Sequence, residues 1–267
     1  MSVQSDQDHE QSLGANDNMF ALERPTLPAE IPTHYSALPI RADVWPRVAL
    51  AVYTLAMTGW STHLEVQQTM GALLDLDPDI HSLKRLLTEV LPRCRLAVTE
   101  VLPLIGRSSL ALIRLSPRGH QLATALGWPP VESDWSRLIR LHAGDAQPRH
   151  TVAVLYFAYQ ARRHDYRVTI LPTVDDLRFM PDVLLERDGE RLYVEVELGH
   201  TKLRKWKNQY RFQRFVAFCA LTPESRRGLK SECRRWKLPG QATDLATLAK
   251  QSKQPPLGPL WIDHWSG

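Results

Sequence analysis

The chain has 267 residues, of which 43% are hydrophobic and 23% charged, enough for two packed domains and too many for one small module. Three widely spaced cysteines, Cys94, Cys219 and Cys233, exclude a disulfide framework and lack the paired spacing of a zinc site. No run of about eighteen apolar residues exists, and the N-terminus lacks the basic-then-apolar order of a signal peptide. A reduced, cytoplasmic protein without a membrane span is expected.

The formal net charge of +4 hides an asymmetry. Residues 1–40 carry six acidic residues against Arg24 alone, with prolines at 25, 28, 32 and 39. This polar, aperiodic stretch reads as a disordered acidic tail. Residues 201–237 carry twelve basic residues against Glu224 and Glu232. An excess of that size concentrates a polyanion, and double-stranded DNA is the expected partner.

Residues 43–127 form a first unit. Val44, Val48, Ala51, Val52, Leu55 and Ala56 have helical spacing, and Gly59 ends that helix. Thr62 and Glu65 make a capping box that opens a second helix through Leu74. Asp77-Pro78 predicts a third helix, stopped by Pro92. Two short strands, 96–102 and 109–115, flank Ile105-Gly106-Arg107 as a hairpin, and Ser116-Pro117 opens a closing helix. Three helices, a two-stranded wing and a trailing helix resemble a winged helix-turn-helix. The string Leu112-Ile113-Arg114-Leu115-Ser116-Pro117-Arg118-Gly119 is similar to that family's wing exit. The third helix would then read DNA, with His81, Ser82, Lys84 and Arg85 near its start. Packing against a partner protein is the alternative use. Residues 128–148 read as a linker with a short helix, 133–141.

From His150 onward the order is helix, strand, strand, strand, helix, strand, helix. A helix runs to about His164, and strands follow at 166–171 and 179–186. Asp188-Gly189 is a strong hairpin signal leading into strand 191–198. Thr201 caps a helix to about Phe212, 215–221 is an apolar strand, and Thr222-Pro223 starts a basic helix. Asp182 stands at the start of the second strand, and Glu195 and Glu197 share one face of the third. Three converging carboxylates are costly without a compensating cation. With no Cys or His pair expected nearby, Mg²⁺ or Mn²⁺ suits them better than zinc. His150 at a helix start could orient a phosphate or a water, with a surface or capping role the commoner use, and His164 and His200 read as too isolated for metal ligands. No phosphate-binding glycine loop is present, which argues against nucleotide hydrolysis.

Pro181-Asp182 followed by Glu195-Val196-Glu197 in this order resembles the PD-(D/E)xK nuclease superfamily, with its restriction-endonuclease-like αβββαβ core. One departure is that Glu197 stands where lysine is usual. Lys202 and Lys205 on the next helix are the candidates for a migrated lysine, and Gln209 and Tyr210 are similar to a glutamine-tyrosine pair of some branches. A winged helix joined to such a core is similar to the replication-relaxation proteins and MOB-C-type plasmid mobilisation relaxases. The resemblance covers about residues 43–237.

It implies an α+β or α/β architecture with a nuclease-like domain at 149–240 and an extension at 241–267. It further implies a metal-dependent endonuclease or nickase acting on mobile-element DNA. Asp182 and Glu195 would hold Mg²⁺ or Mn²⁺, Glu197 would be a third ligand or the general base, and Lys202 or Lys205 would neutralise phosphate charge. Lys207, Gln209, Tyr210 and Arg211 would face DNA. Water is the simpler nucleophile, with Tyr210 and Tyr193 as alternatives. Accessory mobilisation proteins and a second copy of the chain are compatible partners. The competing readings are a non-catalytic DNA-binding regulator of replication or transcription and a double-strand-cutting nuclease.

Overall fold

The computed structural model describes residues 22–106, 108–142, 147–175, 180–199, 203–251 and 258–267, and it is a mixed helix-and-sheet protein. None of its described helices is long and apolar enough to cross a membrane. The first unit is built on α1 (Trp45–Thr58) and α2 (His63–Leu74). Gly59 closes α1 at φ 65°, a left-handed conformation that suits glycine. The capping box at α2 forms as expected: Glu65 N donates to Thr62 Oγ1 at 3.2 Å, and Thr62 N donates back to Glu65 Oε2 at 3.1 Å.

The third helix differs from its expectation at both ends. Asp77-Pro78-Asp79 is a turn in which Asp79 N donates to Asp77 Oδ1 at 2.8 Å, and α3 begins only at His81 (His81–Arg85). The helix then passes through Pro92, by way of a π-type stretch (Leu86–Val90) and α4 (Leu91–Arg93). The wider turn, with Leu91 N bonded to Leu86 O, lies just before the proline that cannot donate. It lets the chain absorb Pro92 without breaking.

Strands β1 (Ala97–Ile105) and β2 (Ser108–Leu115) pair antiparallel and are longer than predicted. Helix α5 (Pro117–Ala125) follows, capped by Ser116. The hairpin is not a free wing. Leu110 and Leu112 are buried in the core of the second unit, and Leu102, Leu104 and Ile105 pack against that core.

Two expectations about disorder are corrected. Residues 22–40 lie along α1: Leu38 is buried, Trp45 Nε1 donates to Pro28 O at 3.0 Å, and Tyr53 Oη donates to Glu23 O at 3.0 Å. Apolar side chains spaced along the acidic stretch, Leu22, Leu27, Ile31 and Ile40, give it a surface to bury. Residues 1–21 lie outside the described set. The expected linker is equally part of the body. Its helix α6 (Asp134–Leu141) buries Trp135 and Leu138, and its backbone bonds Val131 N to Ala56 O and Asp134 N to Gly59 O.

The second unit is a six-stranded sheet in the order β3-β4-β5-β6-β7-β8, comprising β3 (Arg167–Ile170), β4 (Val183–Arg187), β5 (Glu190–Glu197), β6 (Val216–Ala220), β7 (Gly240–Asp244) and β8 (Asp263–Trp265). The first three strands are antiparallel neighbours, β5-β6-β7 are parallel, and β8 returns antiparallel. Asp188 (φ 53°) and Gly189 (φ 79°) form the predicted turn between β4 and β5.

Helices α7 (Pro148–Arg162) and α10 (Leu245–Gln251) cover one face, meeting Val183, Val194, Val196, Ala217 and Cys219. Helices α8 (Leu203–Gln213) and α9 (Pro223–Arg235) lie on the other, where Trp206 and Leu229 meet Val216, Phe218 and Ala220. The apolar run of β6 thus reflects burial on both faces. Residues 241–267 complete this sheet, so the domain boundary expected at 240 falls inside β7.

Candidate active site at the switch from antiparallel to parallel strands

Strand β5 is the seam of the sheet, antiparallel to β4 and parallel to β6. Val183 pairs with Val194, so Asp182, one residue before β4, stands level with Glu195. Asp182 is buried, and its Oδ2 accepts the Val196 N–H at 2.8 Å, which fixes the carboxylate against the end of β5. Glu195 is buried on the α8 side, and Glu197 is half-buried beside it. Asp182 and Glu195 therefore stand at one level of neighbouring strands, with Glu197 two residues further along the same face of β5.

Lys205 enters this group from the first turns of α8. Its Nζ lies 2.8 Å from Glu195 Oε2 and also pairs with Glu197 Oε1. Of the two lysines expected on this helix, Lys205 is the one seen against the acids. Lys202 and Thr201 lie outside the described residues. At 2.8 Å the ammonium is a charge partner for the buried Glu195 carboxylate. The side chains of Lys205 and Glu197 are 36% and 12% exposed, which gives the buried acids an opening to solvent.

The electrostatics follow from burial and crowding. Desolvation, joined by the Asp182 charge, pushes the Glu195 carboxyl well above the ordinary glutamate value. Desolvation would raise Asp182 too, but its bond to His150, the charges of His150 and Lys205, and the Val196 N–H outweigh it and hold the pKa low. Burial would lower Lys205, yet Glu195, Asp182 and Glu197 together hold its ammonium above the usual lysine value. Glu195 and Glu197 share the Lys205 ammonium and Asp182 pairs with His150, and the carboxylate oxygens of the group are a donor set suited to a hard divalent cation.

Sequence reading missed the histidines. His150, in the first turn of α7, has Nε2 3.1 Å from Val196 O and 3.4 Å from Asp182 Oδ2. His142, just after α6, stacks beside it with ring centroids 4.9 Å apart. One ligand atom from each of His142, His150 and Asp182 lies within 4.8 Å of the others. The premise that no histidine pair lies near the acids is therefore corrected. His142 follows the end of α6 and His150 lies in the first turn of α7, and the contact between these helices brings the rings together, which spacing alone does not signal. His164 bonds Gln160 O at 2.7 Å and Gly258 O at 2.9 Å, a structural role, and His200 lies outside the described residues.

The expected DNA contacts divide. His81, Lys84 and Arg85 are exposed on α3 and Ser82 is half-buried, while Leu83, Leu86 and Leu87 face inward. On α8, Arg204, Lys207 and Arg211 form an exposed basic stripe, and Lys207 Nζ lies 4.8 Å from the centre of the Trp236 ring. Gln209 instead is fully buried and donates from Nε2 to Tyr193 O at 3.0 Å and Ala217 O at 2.9 Å, tying α8 to β5 and β6. Tyr210 is half-buried against the Trp206 core. Tyr193 packs edge-on against Phe212.

No protein-family model matches the chain, and no curated protein or solved structure is significantly similar to it.

Proposed function

We propose that the protein is a metal-dependent DNA endonuclease that nicks one strand at a site in mobile-element DNA, with a winged helix-turn-helix joined to a restriction-endonuclease-like core. One observation carries this reading: Asp182, Glu195 and Glu197 converge with Lys205 at the strand switch of an αβββαβ arrangement, beside the basic stripe of α8.

Asp182 and Glu195, level on neighbouring strands, are the residues that would hold Mg²⁺ or Mn²⁺. A bound divalent ion supplies water activation and charge neutralisation at the phosphate. The Val196 N–H orients Asp182. Glu197, the more exposed of the two glutamates, takes the proton of the attacking water. Lys205 stabilises charge that develops on the scissile phosphate. Arg204, Lys207 and Arg211 hold the backbone, and the exposed side of α3 contacts the duplex.

The test is incubation of the full chain with supercoiled plasmid and Mg²⁺ or Mn²⁺, resolved on a gel. Wild type converts supercoiled to open-circular DNA, and Asp182→Asn slows this by ~100-fold or more while gel-shift affinity persists. The Lys205 ammonium paired with both glutamates also favours a second reading, a regulator that binds DNA without cutting it. Binding without nicking in either metal selects that regulator. Linear product would select the double-strand-cutting alternative.

A further inference from the structure

We propose that His142, His150 and Asp182 bind one zinc-class transition-metal ion at the α6–α7 side of the acid cluster. This deepens the nuclease reading, which it shares through Asp182. Two imidazoles and one carboxylate, with a ligand atom of each inside 4.8 Å, match the donor number of open three-ligand zinc sites. Nitrogen donors favour borderline ions over Mg²⁺, which prefers oxygen and keeps its water.

The state of His150 supports the assignment independently. Its Nε2 already has the backbone carbonyl of Val196 and the Asp182 carboxylate as neighbours, while Nδ1 is buried without a hydrogen-bond partner. The 3.4 Å between His150 Nε2 and Asp182 Oδ2 is the spacing of two ligands that each bind one tetrahedral ion at about 2.0–2.1 Å. The Val196–Asp182 bond fixes the carboxylate that completes the set. His142 supplies the second ring from the end of α6, and it is half-buried, so its replacement leaves the core intact.

The experiment titrates the full chain with Co²⁺ and Zn²⁺, following Co²⁺ visible absorption and calorimetry, with excess Mg²⁺ as competitor. Wild type binds one equivalent that Mg²⁺ does not displace. His142→Ala weakens binding by at least ~10-fold. His142→Cys restores it and adds a thiolate-to-cobalt charge-transfer band, which only a direct ligand produces. Wild-type affinity in His142→Ala, or displacement by Mg²⁺, overturns the proposal. Plasmid nicking is read separately. No nicking with His142-dependent Co²⁺ binding ends the nuclease reading and keeps this site, whereas nicking with Co²⁺ binding indifferent to His142 ends this proposal alone.

Discussion

Two buried charge clusters lie within this chain, and they are built to opposite ends. In one, Arg162 of α7 pairs with Glu65 of α2 and, at 2.7 Å, with Asp134 of α6. Thr62 donates to Glu65 Oε2 from both its backbone N–H and its hydroxyl, and the Trp60 ring lies 5.6 Å from the guanidinium carbon. This cluster is closed, and it ties the helical unit to the sheet unit.

In the other cluster Glu195 and Glu197 share Lys205, Asp182 pairs with His150, and the group opens to solvent. Desolvation raises the carboxyl pKa of Glu65 and Glu195 alike. Burial of charge therefore does not separate a site from a staple. Closure does: a satisfied cluster spends its charge on structure, and an incomplete one retains capacity for a ligand.

That contrast has measurable consequences. Arg162→Met strips the closed cluster of its only cation and leaves two acids behind. It should cost about 3–5 kcal/mol in urea unfolding, unchanged by divalent ions; rescue by Mg²⁺ would erase the distinction between the clusters.

His63, also in the helical unit, tests it by pH. Burial lowers its pKa from 6.5 to about 4, so the folded state binds fewer protons than the unfolded state in that window. Stability is complete above pH 6.5 and falls as pH drops toward 4, by up to about 3 kcal/mol. His63→Gln should flatten that slope, and an unchanged profile would show that the imidazole is not the cause.

Lys205→Met removes the cation of the open cluster. In chelator the variant should lose about 2 kcal/mol, and Mg²⁺ or Mn²⁺ should restore part of it, because a metal replaces the ammonium. Indifference to metal would make this second group a staple as well. The smallest effect lies at the proposed reading helix. Lys84→Ala and Arg85→Ala should each weaken DNA binding and lower the salt slope by about one, read by fluorescence anisotropy across a salt series; no change would remove α3 from the interface.

Local signals carried much of this architecture. The Thr62–Glu65 box, the Asp188-Gly189 turn and the apolar run at 216–220 each state their own conformation, and the three acids followed once β4 and β5 were paired. What escaped was set by distant partners. The hairpin's Leu110 and Leu112 are apolar on a segment that reads as a wing, and only the presence of α7 shows where they are buried. β7 and β8 are short and polar in part, and they become strands because β6 offers an open edge. Gln209 has the composition of a surface contact and the position of a core bridge. His142 and His150 meet because α6 packs against α7, a contact that spacing does not encode.

The central claim is that the acids at the end of β5 gather a divalent ion. Crystals of the full chain grown with Mn²⁺ and measured at its absorption edge test this directly. The account predicts an anomalous peak about 2.1–2.3 Å from carboxylate oxygens of both Asp182 and Glu195. A map with no peak there, and the Lys205 ammonium still seated against Glu195 and Glu197, would contradict it.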